Sequence, residues 1–183
     1  MKLKSSLARK KVIVYDADVI IHFICGDRLL DLFNIYPNKS VILDKVYEEL
    51  SRHHGTKKTI DNLTKFGIVE IVSFSGRLEV VKEYAHIMRY LNKGQGESAC
   101  MAYCLHSRDI IASSNLKDTQ QYCDLHEIEY LTTMDFLVEA YRNKTMEIEA
   151  CEDFIAKLLS RNHKVPCKTF KDFLKDKGIS MTA

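Results

Sequence analysis

Hydrophobic residues occur along this chain in two alternating patterns. Short apolar runs rich in β-branched side chains are each ended by a polar or turn-forming residue, which is typical of buried strands. Between them, apolar residues recur every three or four positions, which predicts helices with one buried face. The predicted strands cover residues 12–15, 41–43, 68–72, 110–112 and 128–131. The predicted helices cover residues 19–25, 29–35, 45–53, 56–66, 78–91, 97–106, 116–126 and 133–141.

This alternation predicts an α/β fold. Short strands that alternate with helices of about ten residues form a parallel sheet covered by helices. We therefore expect three layers, with a central parallel sheet of four or five short strands. The Gly-Gln-Gly segment at 94–96 is interpreted as a break between two helices. After Arg142 the strands stop and two helices follow, at 146–159 and 170–175, which we interpret as a helical C-terminal extension over residues 144–183.

Composition limits the classes of protein that the chain can represent. Of its 183 residues, 46% are hydrophobic, which suits one domain with its own core. The 27 basic and 25 acidic residues leave a net charge of +2, so a nucleic-acid partner must be recognised through local patches. No apolar run approaches the ~18 residues that cross a bilayer, and the basic N-terminus lacks the apolar segment of a secretory signal. We therefore expect a cytoplasmic protein, with its six cysteines reduced.

Carboxylates follow the predicted strands repeatedly. In an open parallel sheet, ligands bind outside the carboxyl ends of the strands. Clustered carboxylates repel one another unless cations neutralise them, and hard oxygen ligands favour Mg²⁺ or Mn²⁺. Such an ion can bind a phosphate oxygen and activate a water, which is the chemistry of phosphodiester hydrolysis. The polar residues at these strand ends and at the starts of the following helices are Asp16, Asp18, Glu48, Glu49, Glu97, Ser113, Ser114, Asn115 and Asp118.

Each of these residues also has a structural alternative. Asp16 and Asp18 could form a turn and a helix cap, and Glu48 and Glu49 could lie on a solvated helix face. An acid in the first turn of a helix is stabilised by the helix dipole, which would account for Glu97 and Asp118 without any site. The shared placement at one edge of the sheet, more than any one position, therefore carries the hypothesis of a metal site.

The order of these segments resembles the PIN domain family, over roughly residues 11–143. The segment "IVYDADVII" resembles the family's opening strand, whose terminal aspartate is a metal ligand and corresponds to Asp16. "VYEEL" resembles the helix that carries the second acid, which places it at Glu49 rather than Glu48. "GQGESAC" resembles the start of the helix with the third acid, Glu97. The resemblance implies a PIN-like nuclease domain at 11–143, similar to the toxin-type ribonucleases of bacterial toxin–antitoxin pairs.

The sequence departs from the family pattern at the fourth acid. The family's "T-x-D" motif aligns on Ser113-Ser114-Asn115, so an amide stands in place of the carboxylate. Asp118 lies three residues further on and could supply the missing charge. We accordingly assign catalytic roles to Asp16, Glu49, Glu97 and Asp118, and metal ligation to Asp16, Glu97, Asp118 and Asn115. Contacts to nucleic acid are assigned to Ser113, Ser114, Lys117 and Lys93, the lysines because they could follow a phosphate backbone.

These assignments leave several functions open. The first is a metal-dependent endoribonuclease that hydrolyses RNA, and the second is a catalytically weakened PIN-fold module that binds nucleic acid or regulates through interaction. A third is a protein-interaction domain with a docking tail. The tail also bears on partners, because residues 146–159 carry one apolar stripe that must be buried. We expect residues 145–183 to join a homodimer or an antitoxin-like protein, the alternative being that they pack back on their own sheet.

Overall fold

The computed structural model describes residues 10–91, 94–115 and 118–180, and it contains one five-stranded parallel sheet. The strand order is β3-β2-β1-β4-β5, and every neighbouring pair is parallel. Helices cover the sheet, so the predicted α/β fold with a central parallel sheet is confirmed. The strands are β1 (Ile13–Tyr15), β2 (Ser40–Leu43), β3 (Glu70–Val72), β4 (Ile110–Ala112) and β5 (Tyr130–Leu131).

The strand order creates a crevice beside the first strand. From β1 the chain builds the sheet outward through β2 and β3, then returns to the other side of β1 to form β4 and β5. The connections therefore leave the sheet in opposite directions at the boundary between β1 and β4, which is where open α/β sheets bind their ligands. Tyr15 is paired in register with both Ile42 and Ala112, so these strands end at one level.

The helices follow the predicted pattern with shifted ends. Their bounds are α1 (Ala17–Cys25), α2 (Leu29–Ile35), α3 (Asp44–Leu50), α4 (His54–Lys65), α5 (Leu78–Tyr90), α6 (Gln95–Ser107), α7 (Asp118–His126), α8 (Thr133–Arg142), α9 (Ile148–Ser160) and α10 (Phe170–Asp176). The interpretation of residues 94–96 as a break is wrong for its last two positions, because α6 already begins at Gln95 and includes Gly96. No helix of the described residues is both long and apolar enough to span a membrane.

The C-terminal helices pack against the rest of their own chain. The Phe154 ring of α9 is fully buried, with its centroid 4.8 Å from that of Phe23 in α1. A Cβ at Gly26, which ends α1, would overlap the Phe154 ring, so only glycine admits this close approach. In α10, Phe170 is buried against Tyr141 of α8, with ring centroids 5.9 Å apart.

The apolar stripe of residues 146–159 packs against the rest of the chain. Cys151, Ile155 and Leu158 of α9 are fully buried within the chain. Most of the stripe is therefore covered by the chain's own domain, which is the alternative left open above, while Leu159 at its end stays 40% exposed. These side chains need no second protein to cover them, so that part of the expectation is wrong, because the sequence shows that a stripe must be buried but not where.

Candidate active site

Asp16 lies at the carboxyl end of β1, in the crevice beside β4. Its backbone N–H donates to the Ala112 carbonyl at 2.8 Å, which ties the residue to the end of β4. The side chain caps α1, with Oδ1 accepting from the Ala17 N–H at 2.8 Å. Only 6% of the residue is exposed. Asp16 is thus both a helix cap and a buried carboxylate at the edge of the sheet. The interpretation as a cap and the interpretation as a site residue are therefore compatible.

Asp18 lies beside Asp16 and shares a hydrogen-bond donor with it. The Ser113 hydroxyl is 3.3 Å from Asp16 Oδ2 and 3.4 Å from Asp18 Oδ2. Asp18 Oδ2 also accepts from the Ser114 N–H at 2.8 Å. Asp18 follows the predicted first strand but is not among the residues assigned to the site from the sequence. Its spacing of two residues from Asp16 was the signal that could have included it.

Glu49 approaches the same place from α3. A Cβ built on Gly96 would lie 3.0 Å from Glu49 Oε2 and 3.5 Å from Asp16 Oδ1. Both carboxylates therefore border the small space that the glycine leaves open. The neighbouring Glu48 is exposed and forms an ion pair with Lys45 at 2.8 Å. Of the two adjacent glutamates, Glu49 is the one that lies at the crevice.

Glu97, in the first turn of α6, completes the group of acids. Its Oε1 accepts from Asn115 Nδ2 at 3.0 Å and from the Thr119 hydroxyl at 2.6 Å. Asn115 therefore acts in this structure as a donor to an acid, a role different from the assigned metal ligand. Thr119, which is 2% exposed, is not among the residues predicted from the sequence, because nothing in its local pattern marks it.

The four acids, Asp16, Asp18, Glu49 and Glu97, are called the acid cluster below. Burial raises the pKa of Asp16 well above its usual range, and the charge of Asp18 raises it further. The Ala17 N–H opposes this increase, while the charges of Glu97 and Glu49 add to it. Burial likewise raises the pKa of Asp18 to about 6, although hydrogen bonds from two backbone N–H groups lower it. Placing these carboxylates together is therefore costly when they are charged.

The chemistry of the cluster suits a hard divalent cation. The four carboxylates come from three segments, the β1–α1 junction, α3 and α6, and Mg²⁺ and Mn²⁺ prefer carboxylate ligands. As the side chains stand, however, no three His, Cys, Asp or Glu side chains of the described residues are placed so that they could hold a metal ion. Instead, Asp16 accepts a hydrogen bond from Ser113, and Glu97 accepts hydrogen bonds from Asn115 and Thr119. A cation would have to displace some of these hydrogen bonds.

The remaining assigned residues are placed as follows. Ser113 is 3% exposed and donates to the acids, so it faces the cluster rather than open solvent. The Ser114 hydroxyl lies 2.5 Å from Thr133 Oγ1. Lys93, Lys117 and the side chain of Asp118 lie outside the described part of the structure.

Comparison with known proteins bears on the fold. The sequence matches no family model, and it matches no curated protein. Among solved structures, VapBC-1 from nontypeable Haemophilus influenzae aligns over 67% of this chain and 98% of its own, with a TM-score of 0.51 and 14% sequence identity. At this identity the likeness concerns the fold alone. Together with the five-stranded parallel sheet, it shows that the chain has a PIN-like α/β fold.

Proposed function

We propose that the chain is a metal-dependent endoribonuclease, hydrolysing RNA phosphodiester bonds with Mg²⁺ or Mn²⁺ held by carboxylates. The observation that carries the proposal is the convergence of Asp16, Asp18, Glu49 and Glu97 on the crevice between β1 and β4. A structural role does not require four acids from three separate segments to meet, because their mutual repulsion opposes folding. A bound cation would offset that repulsion.

The position of each residue in the acid cluster indicates whether it would bind the metal ion or accept a proton. Asp16 and Glu97 are the proposed ligands from the two sides of the crevice, with Asp18 beside them and Asn115 or Asp118 completing the set. The bound ion would bind a phosphate oxygen and lower the pKa of a water molecule. Glu49, which is only partly buried, is proposed to accept the proton of the attacking water.

Cleavage of RNA in Mg²⁺ or Mn²⁺ and in chelator tests this proposal directly. Asp16→Asn should abolish cleavage while leaving stability unchanged or raised, because it removes one of several repelling charges. Glu49→Gln should slow cleavage by about 100-fold or more, the usual contribution of a general base. Glu48→Gln is the matched control and should cleave like wild type. Equal cleavage by wild type and Asp16→Asn would show that Asp16 is only a helix cap.

One observation favours a second candidate function, the catalytically weakened module that binds nucleic acid or regulates through interaction. Asn115 Nδ2 and the Thr119 hydroxyl both donate to the same Glu97 oxygen, so this acid is satisfied without a cation. Asn115→Asp distinguishes the two candidates. If the site is weakened, the new carboxylate should create metal-dependent cleavage that wild type lacks. If wild type already cleaves efficiently, the module hypothesis fails.

The fourth ligand is proposed to be Asp118 rather than Asn115. Asn115 is engaged with Glu97, which leaves Asp118, three residues further along, to supply the charge. Binding of Mn²⁺ to Asp118→Ala and Asn115→Ala, measured by calorimetry, tests this assignment. We expect the larger loss of affinity in Asp118→Ala, and a loss confined to Asn115→Ala would reverse the assignment.

The resemblance to toxin-type ribonucleases extends the proposal to partners. RNA is the proposed substrate, and an antitoxin-like protein and a second copy of the chain are the proposed protein contacts. Light scattering of the full chain, alone and after co-expression with the neighbouring reading frames, measures both contacts. A chain that stays monomeric and copurifies with no product of those frames would contradict this part of the proposal.

A further inference from the structure

A cavity of about 630 Å³ lies next to the acid cluster, at the carboxyl ends of β4 and β5. Residues that follow these two strands form one wall, including Ser114 after β4 and Thr133 after β5. Residues between Lys164 and Lys177, a segment that contains α10, form the rest of the wall together with His22 and Gln120. The volume lies within the range of sites that bind small molecules. The C-terminal extension, outside the span that resembles the PIN family, thus helps to enclose a space beside the proposed reaction centre.

One residue joins this cavity to the acid cluster. The backbone N–H of Ser114 donates to Asp18 Oδ2 at 2.8 Å, while its hydroxyl contacts Thr133 in the cavity wall. The Thr133 hydroxyl in turn lies 2.9 Å from His22 Nδ1, and His22 also lines the cavity. Ser114 therefore lies between the cavity lining and the acid cluster, and it contacts both.

The lining of the cavity suits a nucleotide. Tyr130 and Phe173 are partly exposed and offer aromatic surface, on which every base can stack. Lys164 and Lys177 are exposed at the wall and can attract phosphate, and Lys177 Nζ lies 5.7 Å from the Phe173 ring centroid. Aromatic surface next to ammonium groups is the combination with which proteins hold single-stranded nucleic acids.

Two acids also line the cavity and limit its positive charge. Asp135 Oδ2 accepts from the N–H and the hydroxyl of Thr132, so its carboxylate is engaged in capping α8. Asp176 is exposed at the rim. A carboxylate can accept a hydrogen bond from the exocyclic amino group of a base. We therefore expect stacking, more than net charge, to provide most of the affinity.

We propose that this cavity binds one nucleotide of single-stranded RNA adjacent to the phosphate that is cut, with its base against Tyr130 and Phe173. The inference rests on the proposed function, which places the cut phosphate at the acid cluster. A base inside a duplex is stacked and paired and cannot enter such a cavity, so the site selects single-stranded RNA. It also gives the C-terminal extension a role in binding substrate.

Binding in chelator separates this site from cleavage. The experiment uses the full chain and fluorescein-labelled ten-nucleotide homopolymers of A and of U, followed by fluorescence anisotropy in EDTA. Phe173→Ala should weaken binding by about tenfold, the effect of losing one stacking contact. Lys177→Ala should weaken it a few-fold and reduce its dependence on salt by about one ionic contact. Adenosine monophosphate should compete with the labelled RNA for wild type and less effectively for Phe173→Ala.

Matched controls exclude a general effect of the substitutions. Phe66→Ala removes an exposed aromatic ring that lines a different cavity, between α2 and α4, and Lys171→Ala removes an exposed lysine on α10 that does not line this one. Both should bind RNA like wild type. Because Phe173 is partly buried, its variant is compared with wild type by thermal unfolding. If it does not fold, the exposed Lys177 variant and competition by adenosine monophosphate decide the outcome.

The outcomes for the cavity and for the nuclease are distinct. Unchanged RNA binding in the Lys177 variant and in a folded Phe173 variant would overturn the cavity proposal, even if wild type cleaves RNA. A wild type that binds no RNA would overturn it as well. Cavity-dependent binding without any metal-dependent cleavage would support the nucleotide site and refute the nuclease. Cavity-dependent binding with cleavage supports both.

Discussion

Replacing Asp18 by asparagine should stabilise the metal-free protein at neutral pH. Asp18 is half-buried among other acids, and its pKa is raised from 3.8 to about 6 by burial and by the charge of Glu97. The charged carboxylate is therefore more costly in the folded chain than in the unfolded one. Asparagine has nearly the same shape and removes that charge.

The size of the effect follows from two opposing contributions. The increase in the pKa of Asp18 from 3.8 to about 6 corresponds to about 3 kcal/mol of destabilisation at neutral pH. Asparagine keeps one acceptor oxygen, whereas Asp18 accepts from the Ser114 N–H on one oxygen and the Val19 N–H on the other. Losing one such bond costs about 1 kcal/mol. The free energy of unfolding should thus rise by about 2 kcal/mol at pH 7.

The dependence on pH has a definite sign. Because the folded-state pKa of Asp18 is raised, the folded chain binds a proton more tightly than the unfolded chain between pH 3.8 and about 6. The stability of wild type therefore falls as pH rises through this window, and the full cost is present above it. The advantage of Asp18→Asn should be complete above about pH 6, and below pH 3.8 the variant should be the less stable protein.

Urea unfolding in EDTA at pH values from 4 to 8 measures this difference, with circular dichroism as the signal. Asp124→Asn, which neutralises an exposed acid on α7, is the control and should change stability by less than about 0.5 kcal/mol. Adding Mn²⁺ should stabilise wild type more than Asp18→Asn, because a ligand that binds only the folded state stabilises it. A variant that is less stable than wild type at pH 7, or a difference that does not vary with pH, would refute the reasoning.

Two further predictions concern glycines that other side chains approach. Gly96→Ala places a Cβ 3.0 Å from Glu49 Oε2, which is the end of a flexible side chain. The rate of RNA cleavage should therefore fall, while the midpoint of thermal unfolding should change by only a few degrees. An unchanged cleavage rate would contradict this. Gly26→Ala forces a Cβ into the buried Phe154 ring and should destabilise the protein by about 1–3 kcal/mol in urea unfolding. Gly55→Ala, in α4 with open space around it, is the control and should be neutral or stabilising.

The fold could be predicted largely from the chain's pattern, because strands and helices differ in period. The run at 110–112 is a strand in both the prediction and the structure. Gly96 was misread because glycine is a poor helix former in isolation. In the structure it lies within α6 and faces Glu49 and Asp16, which come from other parts of the chain and leave little space for a side chain. Such a tertiary constraint is invisible in local sequence.

The candidate site could be predicted from the sequence only in part, because some of its contacts depend on tertiary structure. The rule that ligands bind at strand ends points to Asp16, because the residue follows a clear strand. The contacts of Glu97 with Asn115 and Thr119 depend on how α6 and α7 meet, and local sequence does not encode that. The tail shows the same limit, since an amphipathic stripe predicts burial but not the surface that buries it.

The position of β1 at the centre of the sheet has a consequence for how the protein is made. Asp16 and the Ser113 that donates to it are 97 residues apart, and the first strand gains its second neighbour only when β4 has been synthesised. Closing so long a loop delays folding. A nascent chain that ends before β4 contains all four acids but lacks the Ser113 and Thr119 hydroxyls that donate to Asp16 and Glu97. Any activity of the acid cluster should therefore begin only after the segment from β4 to Thr119 has been made and has paired with β1.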